Sequence, residues 1–344
     1  MASVLVRLRS SSISNTIGLA LVGLVVLWLI VNFVKTPAEV INVCLIGLTN
    51  GAIYGVVALG YTLVYGILQL INFAHGDVFA LSGLFASTVI ISLLGLDKDS
   101  SVIVIVGGLL VALVIVMSLF ALVNATIERI AYRPLRHAPR VAPLITAIGV
   151  SFIVQNVALA FYDVNYRTVP QFIPRTNVFE IGGVSYTWTK LAALLIVVPL
   201  LVVLTWFVTS TRQGKAMRAV AQDTEASAMM GIDVNRTISV TFLLAGALAG
   251  AAAIVYLLQF NMRYDTGFEL GLIAFTAAVL GGIGNLTGAV FGAVLIGLIQ
   301  ACNEGLTWLA PGSDWTRSIV FGILIMILVF RPEGLLGERT PEGA

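Results

Sequence analysis

Four polar side chains gather in a stretch otherwise suited to lipid. Gln69, Asn72 and His75 recur at i, i+3 and i+6, the spacing of one helical face, and Asp77 follows two residues on. A polar or ionisable group at membrane depth is costly unless it is paired or faces water. These four therefore line a cavity near a solute pathway or its inner mouth, bond another helix, or mark a helix end. A second stretch, Gly281-Gly282-Ile283-Gly284-Asn285-Leu286-Thr287-Gly288, carries four glycines and cannot continue one helix. It is either a tight turn at the cytoplasmic face or a re-entrant break. Irregular backbone at membrane depth survives only where protein buries it or it lines a water-filled cavity. Its N–H groups could also meet an anionic group. The candidate pathway residues are thus Gln69, Asn72, His75, Asp77, Gly281, Gly282, Gly284 and Asn285.

Other chemistry finds no foothold in the sequence. There is no Gly-x-x-x-x-Gly-Lys-Ser/Thr phosphate loop, no His-Glu-x-x-His and no Gly-x-Ser-x-Gly. No catalytic, metal-binding or cofactor-binding residue is therefore assigned. Cys44 and Cys302 lie far apart in apolar segments without metal-ligand spacing and read as packing residues. An ion-coupled secondary transporter would usually need embedded carboxylates, and Asp77, Glu269 and Glu304 are the candidates for that alternative.

The elements that must hold these residues are membrane helices. Of 344 residues, 59% are hydrophobic and 10% charged, against about 25% charged in a typical soluble domain. A helix needs about 20 largely apolar residues to cross the hydrocarbon. Such stretches place crossings near 17–34, 41–60, 65–94, 102–124, 142–162, 190–209, 237–258, 268–281, 286–303 and 317–331. The fold class expected is all-α: a polytopic membrane protein of about ten transmembrane helices. The run 17–34 is long for a signal core and lacks a small-x-small cleavage site, so it reads as a retained first helix. The net charge is only +2, with the basic residues beside spans, so nothing supports nucleic-acid binding.

Lys and Arg in short loops mark the cytoplasmic side. Arg7/Arg9, the segment 129–140 and the segment 212–236 meet that test and put both termini inside. The aromatic-rich segment 163–189 and Trp308 to Trp315 fall outside. By the same parity, the block of crossings from Ile41 and the block from Thr237 run in opposite senses, which predicts an inverted repeat with the pathway between the halves. Small residues four apart, as at Gly47, Gly51 and Gly55 or Gly284, Gly288 and Gly292, mark close helix packing.

One inside loop is unusually long. From Gly214 to Asp233 it is rich in alanine and methionine, favouring an amphipathic helix from Lys215 that stops at Gly231. Lys215, Arg218 and Gln222 occupy its polar side. Ala219, Ala226, Met229 and Met230 offer apolar contacts to the membrane surface or to a groove in a partner.

Within that loop, Glu225-Ala226-Ser227 followed after three residues by Gly231 resembles the Glu-Ala-Ala-x-x-x-Gly signature of ABC importer permeases. Ser227 replaces the second alanine, and the Leu-Pro expected farther on is absent. The runs Asn50 to Tyr54, Gly60 to Gly66, Ile71 to Asp77, Leu280 to Asn285 and Arg331 to Gly337 are similar to the branched-chain amino acid ABC permease family, of the LivH type. The resemblance covers about Ile41 to Gly337 and implies an ABC importer permease fold. It divides the chain into a first helix (1–40), a permease domain (41–337) with its coupling loop (210–236), and a polar tail (338–344). It implies a bacterial inner-membrane subunit with no enzyme activity of its own. This subunit would form half of a pathway for branched-chain or other small amino acids, with urea or short amides as the alternative within the family. It implies a homologous LivM-type permease, two cytoplasmic ATPase subunits that use the ATP, and an extracytoplasmic solute-binding protein as partners. Coupling to the ATPase would fall to Lys215, Arg218, Asp223, Glu225, Ala226 and Gly231.

Overall fold

The computed structural model describes residues 23–69, 71–136, 138–139, 141–174, 176–331 and 333–337. Arg7, Arg9, the start of the first apolar run, Leu70, Arg140, Pro332 and the 338–344 tail lie outside the described residues.

The described chain opens with α1 (Gly23–Lys35). Next come α2 (Pro37–Leu68), α3 (Ala74–Thr88, prolonged by a wider turn to Leu93), α4 (Val102–Ile127, prolonged similarly through Tyr132) and α5 (Val141–Tyr162). A hairpin of β1 (Asn177–Ile181) and β2 (Val184–Thr187) leads into α6 (Trp188–Ser210). Two short helices, α7 (Arg212–Gln222) and α8 (Thr224–Met229), precede α9 (Val234–Leu257), α10 (Thr266–Gly281), α11 (Leu286–Gly305) and α12 (Thr316–Phe330). Among the described residues, eight helices are long and apolar enough to cross a membrane, and α1 and α10 are shorter apolar helices.

The break between the second and third crossings does not fall at 60–65, where the sequence suggests it. α2 runs through Gly60 and Gly66 and ends at Gln69, which adopts φ 51° and caps the helix. Glycine weakens a helix in water, but here each close approach compensates. A Cβ on Gly60 would lie 2.3 Å from the His75 ring, and one on Gly51 would lie 2.7 Å from the backbone of Val294. At about 1.5 Å per residue, the 32 residues of α2 reach well beyond a ~30 Å hydrocarbon core.

With little hydrophobic drive between helices in lipid, backbone proximity carries the packing. α2 lies antiparallel along α11, with Gly47 against Leu298 and Gly51 against Val294, and Gly66 reaches Gly284 in the turn that precedes α11. α4 lies antiparallel along α9, with Val116 and Met117 against Gly250 and Phe120 against Gly246. These are the two most extensive helix pairs. Exchanging α2 with α9, α3 with α10, α4 with α11 and α5 with α12 turns one pair into the other. The same exchange turns the α2–α10 contact into α9–α3, and α3–α5 into α10–α12. At the centre, α3 and α10 cross reciprocally: a Cβ on Gly76 would stand 2.3 Å from the Gly267 carbonyl, and one on Gly267 2.3 Å from the Gly76 carbonyl. The expected inverted repeat is thus written in the contacts.

The segment expected only to present an aromatic surface, 163–189, forms the β-hairpin instead. Gly182 and Gly183 both have positive φ and make its turn. Asn42 of α2 brackets that turn by donating to the Gly183 carbonyl and accepting from Ser185 N–H. Tyr186 is buried with its hydroxyl 2.8 Å from Thr49 Oγ1. The tip of the hairpin is thereby fastened to one of the symmetry-related helices.

Candidate functional site

The predicted polar face of Gln69, Asn72 and His75 is not one face. Gln69 is the exposed cap of α2, Asn72 sits in the break, and His75 belongs to α3, because the helix ends between them. The three side chains take separate roles. Buried Asn72 accepts a hydrogen bond of 2.7 Å from the Tyr132 hydroxyl at the end of α4. His75, fully buried, presses edge-on to Tyr61 in the notch left by Gly60.

Asp77 is the carboxylate at the centre of the molecule, and it is 1% exposed. Ser151 Oγ donates to it at 2.5 Å and Gln155 Nε2 at 2.9 Å, both from α5. The two donors take one carboxylate oxygen each, so both oxygens are satisfied away from water. Ser151 and Gln155 were not singled out from the sequence. The signal existed, since they are polar residues four apart on one face of an apolar helix.

The glycine stretch is a tight turn joining α10 to α11, closed by the chain's own C-terminal segment. Gly282 (φ 108°) and Gly284 (φ 95°) supply the positive dihedrals. Asn285 caps α11 by accepting from Gly288 N–H, and its Nδ2 donates to the Leu336 carbonyl. Leu335 and Leu336 N–H donate to the carbonyls of Leu280 and Gly281. Gly281 and Gly282 lie in this joint, where a Cβ on Gly282 would fall 2.4 Å from Gly337 N. The two sequence runs Leu280 to Asn285 and Arg331 to Gly337 are therefore two sides of one contact.

The long loop is two helices where one was expected. Asp223 turns extended (φ −152°) and its carboxylate accepts from Ala226 N–H, which ends α7 and starts α8. Thr211 caps α7 through Gly214 N–H, and Asp233 caps α9 through Arg236 N–H. α7 buries Gly214, Met217 and Val220. Arg218 donates to the last carbonyls of α6, those of Val208 and Thr209, where a cation also complements the helix dipole. Lys215, Asp223 and Glu225 are exposed, Ala226 is half-buried, and Gly231 takes φ 82°. Met229 and Met230, read as contact residues, stand 82% and 84% exposed.

Two of the candidate stretches do meet. A cavity of about 530 Å³ is lined by Met217, Arg218 and Gln222 of α7, by Gly284, Asn285 and Thr287 of the glycine turn, and by Thr62 and Gly66 of α2. Asn72, His75 and Asp77 are not among its lining residues.

Beside the loop lies a charged cluster that sequence reasoning passed over. Glu128, fully buried at the end of α4, pairs with Arg136 and accepts a 2.7 Å hydrogen bond from Ser239 of α9. Arg136 also donates to Asn235 at 2.7 Å. Burial draws the Arg136 guanidinium below its ordinary pKa, and the Glu128 carboxylate opposes that shift. Arg136, counted only as part of the basic segment 129–140, gave no sign of joining α4 to the start of α9.

Residues 43–329 match the family described as branched-chain amino acid transport system / permease component. The high-affinity branched-chain amino acid transport system permease protein BraD of Pseudomonas aeruginosa is 37% identical over 300 residues, covering 86% of this chain and 95% of that protein. The corresponding LivH protein of Escherichia coli is 34% identical over 301 residues, with the same shares covered. Among solved structures, PsaBC from Streptococcus pneumoniae in complex with Fab aligns over 88% of this chain and 95% of that one, at 14% identity and a TM-score of 0.43.

Proposed function

This chain belongs to the family of permease components of branched-chain amino acid transport systems, and on that premise we propose how it works as a multi-pass subunit of an ABC importer. It forms half of a translocation pathway for branched-chain amino acids, beside a homologous permease. Two cytoplasmic ATPase subunits use the ATP, and an extracytoplasmic solute-binding protein delivers the cargo. The assembly sits in the bacterial inner membrane with both termini cytoplasmic, a reading supported by the bacterial relatives and by the basic loops. The substrate reading rests on relatives that match nearly end to end, and it outweighs urea, short amides and ion-coupled transport.

The observation that carries the coupling role is the shape of the loop. α8 and its C-cap present two largely exposed methionines, Met229 and Met230, beside the exposed Glu225. Methionine is flexible and polarizable and suits a partner's apolar groove. α7 behind it is clamped to α6 by Arg218 and forms a wall of the 530 Å³ cavity. Closure of the ATPase dimer would push α8, and the push would pass through α7 to the cavity floor at Gly284 and Asn285. A ligand shifts such an equilibrium only by binding the two states differently, so loaded binding protein favours one state of the outer loops.

The test combines Glu225→Arg with Gly231→Val in the reconstituted transporter. The expected result is loss of leucine uptake and of ATPase stimulation by loaded binding protein, with the permease still in the membrane. Survival of both activities would falsify the coupling role. Measuring which solutes stabilise the cognate binding protein against heat tests the substrate class separately.

A further inference from the structure

A groove of about 340 Å³ opens between α5, α10 and α12, within the ~300–1,000 Å³ range of small-molecule sites. Its lining divides by chemistry. Phe152, Phe268 and Phe321, with Leu272, Ile273 and Val320, make an apolar wall. At the other side Arg317 and Glu269 form a fork-to-fork ion pair, with Nε and Nη2 each 2.7 Å from a carboxylate oxygen, and Asp265, itself paired with Arg263, also lines that side. Arg317 is 70% exposed and Glu269 45% exposed at their side chains, so both charges remain reachable. Gln155 also lines the groove, and its Nε2 donates to buried Asp77.

That last contact fixes an orientation. A carboxylate only accepts, so it holds the amide nitrogen of Gln155 and leaves the amide oxygen free to accept from a ligand. We propose that this groove is a binding station for the α-amino acid in transit, with a branched aliphatic side chain on the phenylalanine wall. The substrate carboxylate takes Arg317, and its ammonium takes Glu269 and the Gln155 oxygen. A zwitterion suits a standing ion pair because each charge exchanges one partner for another and none is left buried alone. Asp77 acts here as a positioning residue through Gln155. The larger cavity between α4 and α6 is lined, among the described residues, by apolar side chains and Thr176.

The proposal rests on the amino-acid reading of the transporter, and the experiment separates the two. The assembled transporter with its binding protein is irradiated with photo-leucine, a diazirine that keeps both the ammonium and the carboxylate. Label is expected on peptides carrying Phe152, Phe268 or Phe321, displaced by excess leucine and much less by isopentylamine, which lacks the carboxylate. Arg317→Gln should cut that label by about tenfold, the loss of one charged contact. Leu272→Trp, which fills the apolar side, should do the same. Both variants are scored only as complexes that elute intact. Label elsewhere, equal competition by isopentylamine, or undiminished label in either intact variant overturns the site while leucine uptake by the parent transporter keeps the transport reading. Absence of leucine uptake and of leucine competition in the parent overturns both.

Discussion

The two inverted halves share their contacts and differ in their charges. In the first half, the opening turn of α3 sends Asp77 to α5, where two neutral side chains hold it out of water. In the second half, the opening turn of α10 sends Glu269 to α12, where an arginine holds it in reach of water. The same geometry therefore carries a sealed polar contact on one side and an open ionic one on the other. Repetition provides the scaffold, and departure from it provides the chemistry. The groove lies where the two meet, since Gln155 touches Asp77 and shares a wall with Glu269 and Arg317.

The comparison is most directly broken at the shared scaffold. A side chain on Gly297 would stand 2.4–2.5 Å from the backbone of Gly47 and Gly51. Gly297→Leu should cost about 3 kcal/mol or more through overpacking against backbone that cannot yield, seen as loss of monodisperse protein on size exclusion in detergent. Gly55→Ala makes only an ordinary 3.7 Å contact with Ala293. It should be neutral or stabilising by about 0.5 kcal/mol.

The contrast between the halves is sharpened by removing each carboxylate in turn. Asp77→Ala strands the Ser151 hydroxyl and the Gln155 amide, a loss of about 1–2 kcal/mol for polar groups in a membrane protein. Glu269→Gln opens a partly exposed pair and should cost under about 1 kcal/mol. Thermal unfolding of the two purified variants should show the larger drop in Asp77→Ala, and the reverse order would erase the distinction between sealed and open contacts. Asn285→Ala removes a cap at a cost of about 1 kcal/mol. It also releases the Leu336 carbonyl, so hydrogen exchange should quicken in residues 333–337 before anywhere else in the core.

Much of this was legible in the residues. The apolar runs gave the spanning helices, and the glycines at four-residue spacing gave the α2 packing face, because a missing side chain is visible wherever the neighbour is. The Glu225 to Gly231 stretch showed in its own residues that it is helical up to a glycine stop, and Gly231 takes φ 82°. Its division at Asp223 was less visible, because an aspartate signals a helix start only when its carboxylate finds a free N–H.

Sequence by itself determined that this chain spans lipid and how its halves are oppositely directed, since each depends on local composition and parity. Tertiary structure decided what the polar residues do. Gln69, Asn72 and His75 share a spacing but not a helix, because α2 runs on to Leu68, with Gly60 seated against the His75 ring and Gly66 against Gly284 despite glycine's weak helix preference. Asp77 acquired its partners from α5, 74 and 78 residues away. No local rule pairs residues so distant, because their meeting depends on how α3 is wedged between α5 and α10 by the crossing of Gly76 and Gly267.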